Sequence, residues 1–194
     1  ATGTDAFAIG PQSNVNGAFG FAIGNNAKFN SGTLGFAIGV NSEAKSNQSI
    51  AIGYLSKATG RNNGGGGDPA LAVGAGANAT AGGATAIGMV ANASNTFATA
   101  IGKSAAASGD SSIAIGQNTT ATQADTVAIG SSATAAALNS IALGKSASIT
   151  APTTGTTLGG QDSIAMGTGA SANQHSSVTI GAGSTSDGVR NITI

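Results

Sequence analysis

The most regular feature of the chain is a triplet in which alanine precedes a large apolar residue and then a glycine. Twelve such triplets occur, with Thr179 replacing alanine in the last, and eight of the eleven spacings between their glycines are fourteen residues. A repeat at a fixed short period predicts a solenoid in which each repeat forms one coil. The apolar residues of the triplets, the predicted repeat core, are Ile9, Ile23, Ile38, Ile52, Val73, Ile87, Ile101, Ile115, Ile129, Leu143, Met166 and Ile180.

Each repeat contains two alternating segments, which we number from the triplet glycine as position 0. Before it, positions −3 and −1 are large and apolar, as in Ile113-Ala114-Ile115, and after it positions +3 and +5 are small, as at Ala105 and Ala107. Alternation with a period of two residues indicates β-strands. Each coil should therefore hold two strands of about five residues joined by tight turns. Equivalent strands of successive coils should pair in parallel, giving a two-sheet β-roll.

The alternation also leads to a prediction about which side chains fill the thin interior of the roll. We expect the large residues at −3 and −1, with Phe7, Phe21 and Phe36 among them, to face the small residues at +3 and +5 of the other sheet. Position −2 would then point outward, where solvent alone does not require alanine. We therefore predict that another subunit packs closely against this row, the alternative being that alanine is merely tolerated there. The row is formed by Ala22, Ala37, Ala51, Ala86, Ala100, Ala114, Ala128 and Ala142.

Composition narrows the class of protein. Charged residues make up only 7% of the chain, the formal net charge is zero and aromatic residues make up 4%. A compact globular core would be poorly filled by this inventory, and no basic stripe exists that would follow a nucleic acid backbone. The chain has no cysteine, which excludes disulfides and thiolate metal sites. No apolar run approaches the length of a membrane-spanning helix, so we expect no membrane insertion. We also expect no cofactor and no metal.

The repeat resembles the head domain of trimeric autotransporter adhesins, the YadA-like head repeat. The matching pattern is Ser-x-Ala-Ile-Gly followed by x-x-Ala-x-Ala, as in Ser49-Ile50-Ala51-Ile52-Gly53 and Ser112-Ile113-Ala114-Ile115-Gly116. The resemblance implies an all-β fold, a left-handed parallel β-roll that forms a homotrimeric head, with the alanine row as the candidate trimer face. It also implies residues 1–181 as the head and 182–194 as the beginning of a neck.

Two longer spacings mark insertions in the roll, near residues 59–68 and 149–162. Insertions in repeat proteins lie in surface loops, often on a binding face. Simple tolerated loop growth is the alternative. The candidate ligand-contact residues in these two loops are Arg61, Asn62, Asn63, Asp68, Thr153, Thr154, Thr156 and Gln161.

No constellation of catalytic or metal-binding residues stands out in the sequence. His175 is the only histidine and has no Glu or Cys cluster nearby, so we interpret it as a surface residue. Asp110, Asp125 and Asp162 each precede a triplet at a turn position, where a carboxylate can accept bonds from backbone N–H groups. They do not form the aspartate array of calcium-binding rolls.

These features favour a binding module over an enzyme. The resemblance implies a Gram-negative cell-surface adhesin, anchored in the outer membrane by segments outside this sequence. Its expected partners are host extracellular-matrix proteins, cell-surface receptors or other bacteria, including self-association, and not nucleic acid. The alternatives are an ice-binding β-solenoid, for which threonine would have to recur at a fixed repeat position, and a purely structural spacer.

Overall fold

The computed structural model describes residues 1–61, 68–151 and 159–194. The chain forms two compact units, Ala1–Ala98 and Thr99–Ile194. Every regular element in the described part of the chain is a β-strand, and no helix there is long and apolar enough to cross a membrane. Both units repeat the same two-strand coil, so that the predicted parallel β-roll is confirmed within each unit.

In the first unit, odd-numbered strands form one parallel sheet in the order β1-β3-β5-β7-β9-β11, and even-numbered strands form a second in the order β2-β4-β6-β8-β10-β12. The triplets pair in exact register, with Ala8 opposite Ala22 and Ala22 opposite Ala37. The strands are β1 Phe7–Ile9, β2 Asn14–Val15, β3 Phe21–Ile23, β4 Lys28–Phe29, β5 Phe36–Ile38, β6 Glu43–Ala44, β7 Ile50–Ile52, β8 Lys57–Arg61, β9 Leu71–Val73, β10 Asn78–Ala81, β11 Thr85–Ile87 and β12 Asn92–Ala93.

The second unit repeats this arrangement, with the sheets β13-β15-β17-β19-β21-β23-β25 and β14-β16-β18-β20-β22-β24. Most strands hold two or three residues, fewer than the predicted five, because the turns take up more of each coil. The strands are β13 Thr99–Ile101, β14 Ala106–Ala107, β15 Ile113–Ile115, β16 Thr120–Ala121, β17 Val127–Ile129, β18 Thr134–Ala135, β19 Ile141–Leu143, β20 Ser148–Ile149, β21 Ile164–Met166, β22 Ser171–Ala172, β23 Val178–Ile180, β24 Thr185–Ser186 and β25 Ile192–Thr193.

The segment predicted to begin a neck, residues 182–194, continues both ladders of the second unit. Strand β24 pairs with β22, and β25 pairs with β23 through Val178 opposite Ile192. The coil pattern therefore extends beyond the last triplet, at Gly181.

The predicted orientation of the odd-strand sheets was wrong. The alanines at −2, predicted to face another subunit, are fully buried inside the single chain: Ala22, Ala37, Ala51, Ala86, Ala100, Ala114, Ala128 and Ala142 are all 0% exposed. The predicted core residues lie on the outside instead, half-buried or exposed: Ile9, Ile23, Ile38, Ile52, Val73, Ile87, Ile101, Ile115, Ile129, Leu143, Met166 and Ile180. Phe7, Phe21 and Phe36 share that outer surface. A coil of fourteen residues brings its two sheets so close that small side chains fill most of the space between them.

The interior is therefore built from small residues on both sheets. The small residues at +3 and +5 face inward as predicted, with Ala91, Ala93, Ala105 and Ala107 all 0% exposed. Phe29, at +5 of the second coil, is the largest fully buried side chain. Its ring fits because glycines surround it: a Cβ added to Gly20 or Gly35 would lie 2.1 Å or 2.0 Å from ring atoms of Phe29.

Buried hydroxyl groups close one of the two turns in each of several coils. The Ser112 hydroxyl, 0% exposed, donates to the Gly109 carbonyl oxygen at 2.7 Å, and the Ser177 hydroxyl donates to the Gln174 carbonyl oxygen at 2.8 Å. These bonds explain the serine before the apolar strand. It satisfies a backbone carbonyl at a site where a larger side chain would not fit.

Replacing Ser112 with alanine should lower the free energy of unfolding by about 1–2 kcal/mol, because a buried hydrogen bond is lost. Chemical denaturation measures this change. Ser131 is exposed, and its replacement by alanine should change stability by less than about 0.5 kcal/mol. Equal effects of the two substitutions would contradict the structural role given to the Ser112 hydroxyl.

Candidate functional site

The outer surface of each odd-strand sheet is apolar, and we call it the apolar face. It carries the side chains at −3 and −1, which point away from the interior because Ala at −2 points inward. Ile129 is 39% exposed and Met166 is 42% exposed. Besides the residues at −1 already named, its members at −3 are Phe7, Phe21, Phe36, Ile50, Leu71, Thr85, Thr99, Ile113, Val127, Ile141, Ile164 and Val178.

Parallel pairing in register stacks identical positions into columns on this face. Ile113 lies beside Val127, and Val127 lies beside Ile141. In the first unit the column begins with aromatic rings: Phe21 and Phe36 are stacked, with ring centroids 5.1 Å apart and planes at 3°. A contiguous column of large apolar side chains on a sheet surface indicates a contact with another macromolecule, since solvent does not favour such an array.

The outer surface of the even-strand sheets is polar. In the first unit, position +4 carries Asn14, Lys28, Glu43, Lys57, Asn78 and Asn92 in one row. Neighbouring coils are linked by side chains, as where the Asn78 amide donates to the Asn92 amide oxygen at 3.1 Å. This face therefore has polar groups available for contact with a ligand.

In the second unit the same row is uncharged and carries mainly hydroxyl groups. Thr120 pairs with Thr134 and Ser171 pairs with Thr185, while Ser148 lies between the two pairs. Hydroxyl residues thus do recur at a fixed position, which the sequence reasoning did not recognise. Serine and threonine alternate irregularly, so the row is not a threonine ladder.

The structure describes only part of the two predicted ligand loops. Arg61 ends strand β8, with its backbone paired to Ala81, whereas Asp68 and Gln161 are half-buried. Asn62, Asn63, Thr153, Thr154 and Thr156 lie outside the described residues. The role of these loops in ligand contact stays a prediction.

His175 lies beside an aspartate of the neighbouring coil. Its Nδ1 is 3.6 Å from Asp162 Oδ2, and Asp162 Oδ1 accepts a hydrogen bond of 2.9 Å from the Asn139 amide. Asp125 and Asp162 both occupy turn positions with positive φ, where aspartate is tolerated better than most residues. Among the described residues, no three His, Cys, Asp or Glu side chains form a group that could hold a metal ion.

Comparison with known protein families identifies the family of the repeat. The model of the YadA head domain repeat matches most of the chain, at residues 1–27, 31–56, 44–62, 66–91, 93–119, 121–147 and 159–184. The chain belongs to the YadA head repeat family. This is the head domain of trimeric autotransporter adhesins, so that the predicted resemblance is confirmed. The longest internal gap between the matched ranges, residues 148–158, overlaps the second insertion in the YadA head repeats.

A solved structure similar to this YadA-like head is the collagen-binding domain of the Yersinia adhesin YadA. The two chains are 24% identical, the match covers 92% of this chain and 81% of that chain, and the TM-score is 0.44. Among curated protein sequences, none shows a significant match.

Proposed function

We propose that three copies of this YadA-like head pack through their apolar faces around a shared axis. The exposed columns at −3 and −1 support this assembly, because burying apolar surface is worth about 25 cal/mol per Å². A thin roll filled with small side chains buries little large apolar surface in its own interior, so association would add to its stability. The single observation that carries the proposal is that the Ile and Val residues of the odd strands lie outside while the alanines between them lie inside.

In such a trimer the polar even-strand sheets face solvent and form the attachment surface. Three identical faces with a row of Asn, Ser, Thr and Lys side chains offer many weak contacts to a repetitive ligand, and linked weak contacts give high avidity. We therefore propose that the head attaches a Gram-negative bacterium to host extracellular-matrix proteins, cell-surface receptors or other bacteria. Other segments of the same protein would anchor it in the outer membrane.

Deleting residues 103–130 removes two whole coils without changing the register of the remaining repeats. If attachment is multivalent, this shortened head should bind immobilised matrix proteins or host cells at least about tenfold more weakly, because avidity depends on the number of simultaneous contacts. Surface plasmon resonance with the intact head as reference measures the change.

The matched control is Thr134→Ala, which removes one hydroxyl group from the polar row. It should change binding less than about twofold, since each contact contributes little. Complete loss of binding in this variant would indicate a single localised site and contradict the multivalent mechanism.

A further inference from the structure

The turn that follows each odd strand places the residue at +2 in the left-handed region of φ. In the second unit this position holds small polar residues or glycine, as at Ser104, Asn118 and Ser132. In the first unit two coils place large apolar residues there, Leu55 with φ 54° and Val90 with φ 59°. A β-branched residue is rare in this region and is strained. At Val90 the turn therefore costs the single chain backbone strain.

These two turns project apolar side chains into solvent. Tyr54 and Leu55, in the fourth coil, are 56% and 42% exposed, while Met89 and Val90, in the sixth coil, are 46% and 56% exposed. We call these two pairs the turn knobs. The fifth coil, between them, has only Ala75 and Gly76 at the same positions. Between the fourth and sixth coils, this edge of the first unit therefore has two protrusions separated by a recess.

The opposite edge of the same coils contains a groove of about 460 Å³ with a mostly apolar lining. Its walls are Ile50, Leu71 and Pro69 on one side and Phe97 on the other, with Gly83 and Thr85 between them. The Phe97 ring covers Gly83 so closely that an added Cβ would lie 2.4 Å from the ring. At the sixth coil the column at −3 changes from the larger Leu71 to the smaller Thr85, and both residues line the groove.

The knobs and the groove lie at the same levels along the stack. Strand β11, Thr85–Ile87, begins in the groove and leads at its other end to Met89 and Val90. In a ring of copies around an axis parallel to the stacking direction, each coil stays level with the same coil of its neighbours. The sixth-coil knob then faces the sixth-coil groove, and Ala75 and Gly76 face Pro69 and Leu71. Protrusions meet recesses at both levels.

We infer that, within the proposed trimer, Met89 and Val90 of one copy insert into the groove between Leu71 and Phe97 of the next copy. This inference rests on the proposed function and adds its contact geometry. A cyclic trimer requires two different surfaces on each subunit, one for each neighbour. The knob edge and the groove edge are such a pair, and both are continuous with the apolar face. Burial of Val90 compensates for its strained turn.

A cysteine pair tests this contact directly, since the chain has no cysteine of its own. The double variant Thr85→Cys with Met89→Cys should form covalent trimers under oxidising conditions, because each groove cysteine meets the knob cysteine of the next copy. Within one chain the two positions are four residues apart across β11, beyond the roughly 7 Å that a disulfide can bridge. Each single variant should remain uncrosslinked.

The mismatched pair Thr85→Cys with Tyr54→Cys is the control, because two coils separate these levels by about 10 Å. A trimeric mass by light scattering without crosslinking of the matched pair, or with equal crosslinking of the mismatched pair, would overturn the knob contact and leave the trimer intact. A monomeric mass would overturn the proposed trimer together with this contact.

A substitution at the strained turn gives an independent measurement. Val90→Asn introduces a residue suited to positive φ, so the chain should keep its β-rich circular dichroism spectrum, while the dissociation constant of the trimer rises about tenfold. Ser132→Asn changes the same turn position in the second unit and should leave this constant unchanged. An unchanged dissociation constant for Val90→Asn would contradict the insertion.

Discussion

Replacing Ile129 with aspartate should convert the protein from a trimer to a monomer that retains its β-rich circular dichroism spectrum. Ile129 lies on the apolar face and is 39% exposed in the single chain, so the roll itself does not need its side chain. In the proposed trimer three carboxylates would be removed from water without partners, which costs several kcal/mol. The dissociation constant of the trimer should therefore rise on the order of a hundredfold or more. Sedimentation equilibrium measures it.

The matched control places the same charge on the other sheet. Thr134→Asp lies on the polar face of the even-strand sheet, and we expect it to leave the trimer intact because the carboxylate remains hydrated. The account would be wrong if Thr134→Asp separated the subunits while Ile129→Asp did not. Loss of β-structure in the Ile129 variant would contradict the expectation that the single roll keeps its fold without the trimer.

Replacing Ala114 with leucine should destabilise the roll itself by about 3 kcal/mol or more, since overpacking a close-packed interior forces neighbouring groups apart. Ala114 is 0% exposed and lies in register between Ala100 and Ala128, which are also fully buried. No space is available for three additional carbon atoms. Chemical denaturation at a fixed chain concentration measures the loss, because the stability of an oligomer depends on concentration.

Ile115→Leu serves as the control one residue away. It conserves volume and lies on the outer surface, so it should change the free energy of unfolding by less than about 1.5 kcal/mol. A stable Ala114→Leu protein with impaired trimer formation would contradict this orientation of the strand. It would support the opposite one, in which the alanine lies between subunits.

The sequence predicts the period, the parallel pairing and the register of the coils because the triplets recur at fixed spacing. It did not reveal which of the two phases of the alternation faces inward. Shifting a strand by one residue exchanges its two faces, so either phase fits a period of two. A signal was present nevertheless: the serine at −4, the alanine at −2 and the small residues at +3 and +5 form one complete inward set. Its members are small side chains, apart from Val15, Phe29 and Ile149 at +5.

The few large side chains in the interior depend on glycines in neighbouring coils. Phe29 lies inside because Gly17, Gly20 and Gly35 leave space for its ring, and Ile149 lies against Gly160 in the same way. These glycines are outside the triplets, so the repeat pattern does not indicate them. The groove and the turn knobs were missed for a similar reason. They depend on departures from the repeat at Thr85, Leu55 and Val90. The positions of these residues relative to one another are known only once the coils are stacked.

Multi-angle light scattering on the intact chain tests most directly whether the apolar faces meet between subunits. The account predicts a single species with three times the 18.1 kDa mass of the chain, at concentrations from micromolar upward. A homogeneous monomer across that range would show that the exposed Ile and Val columns remain in water, and would contradict the account.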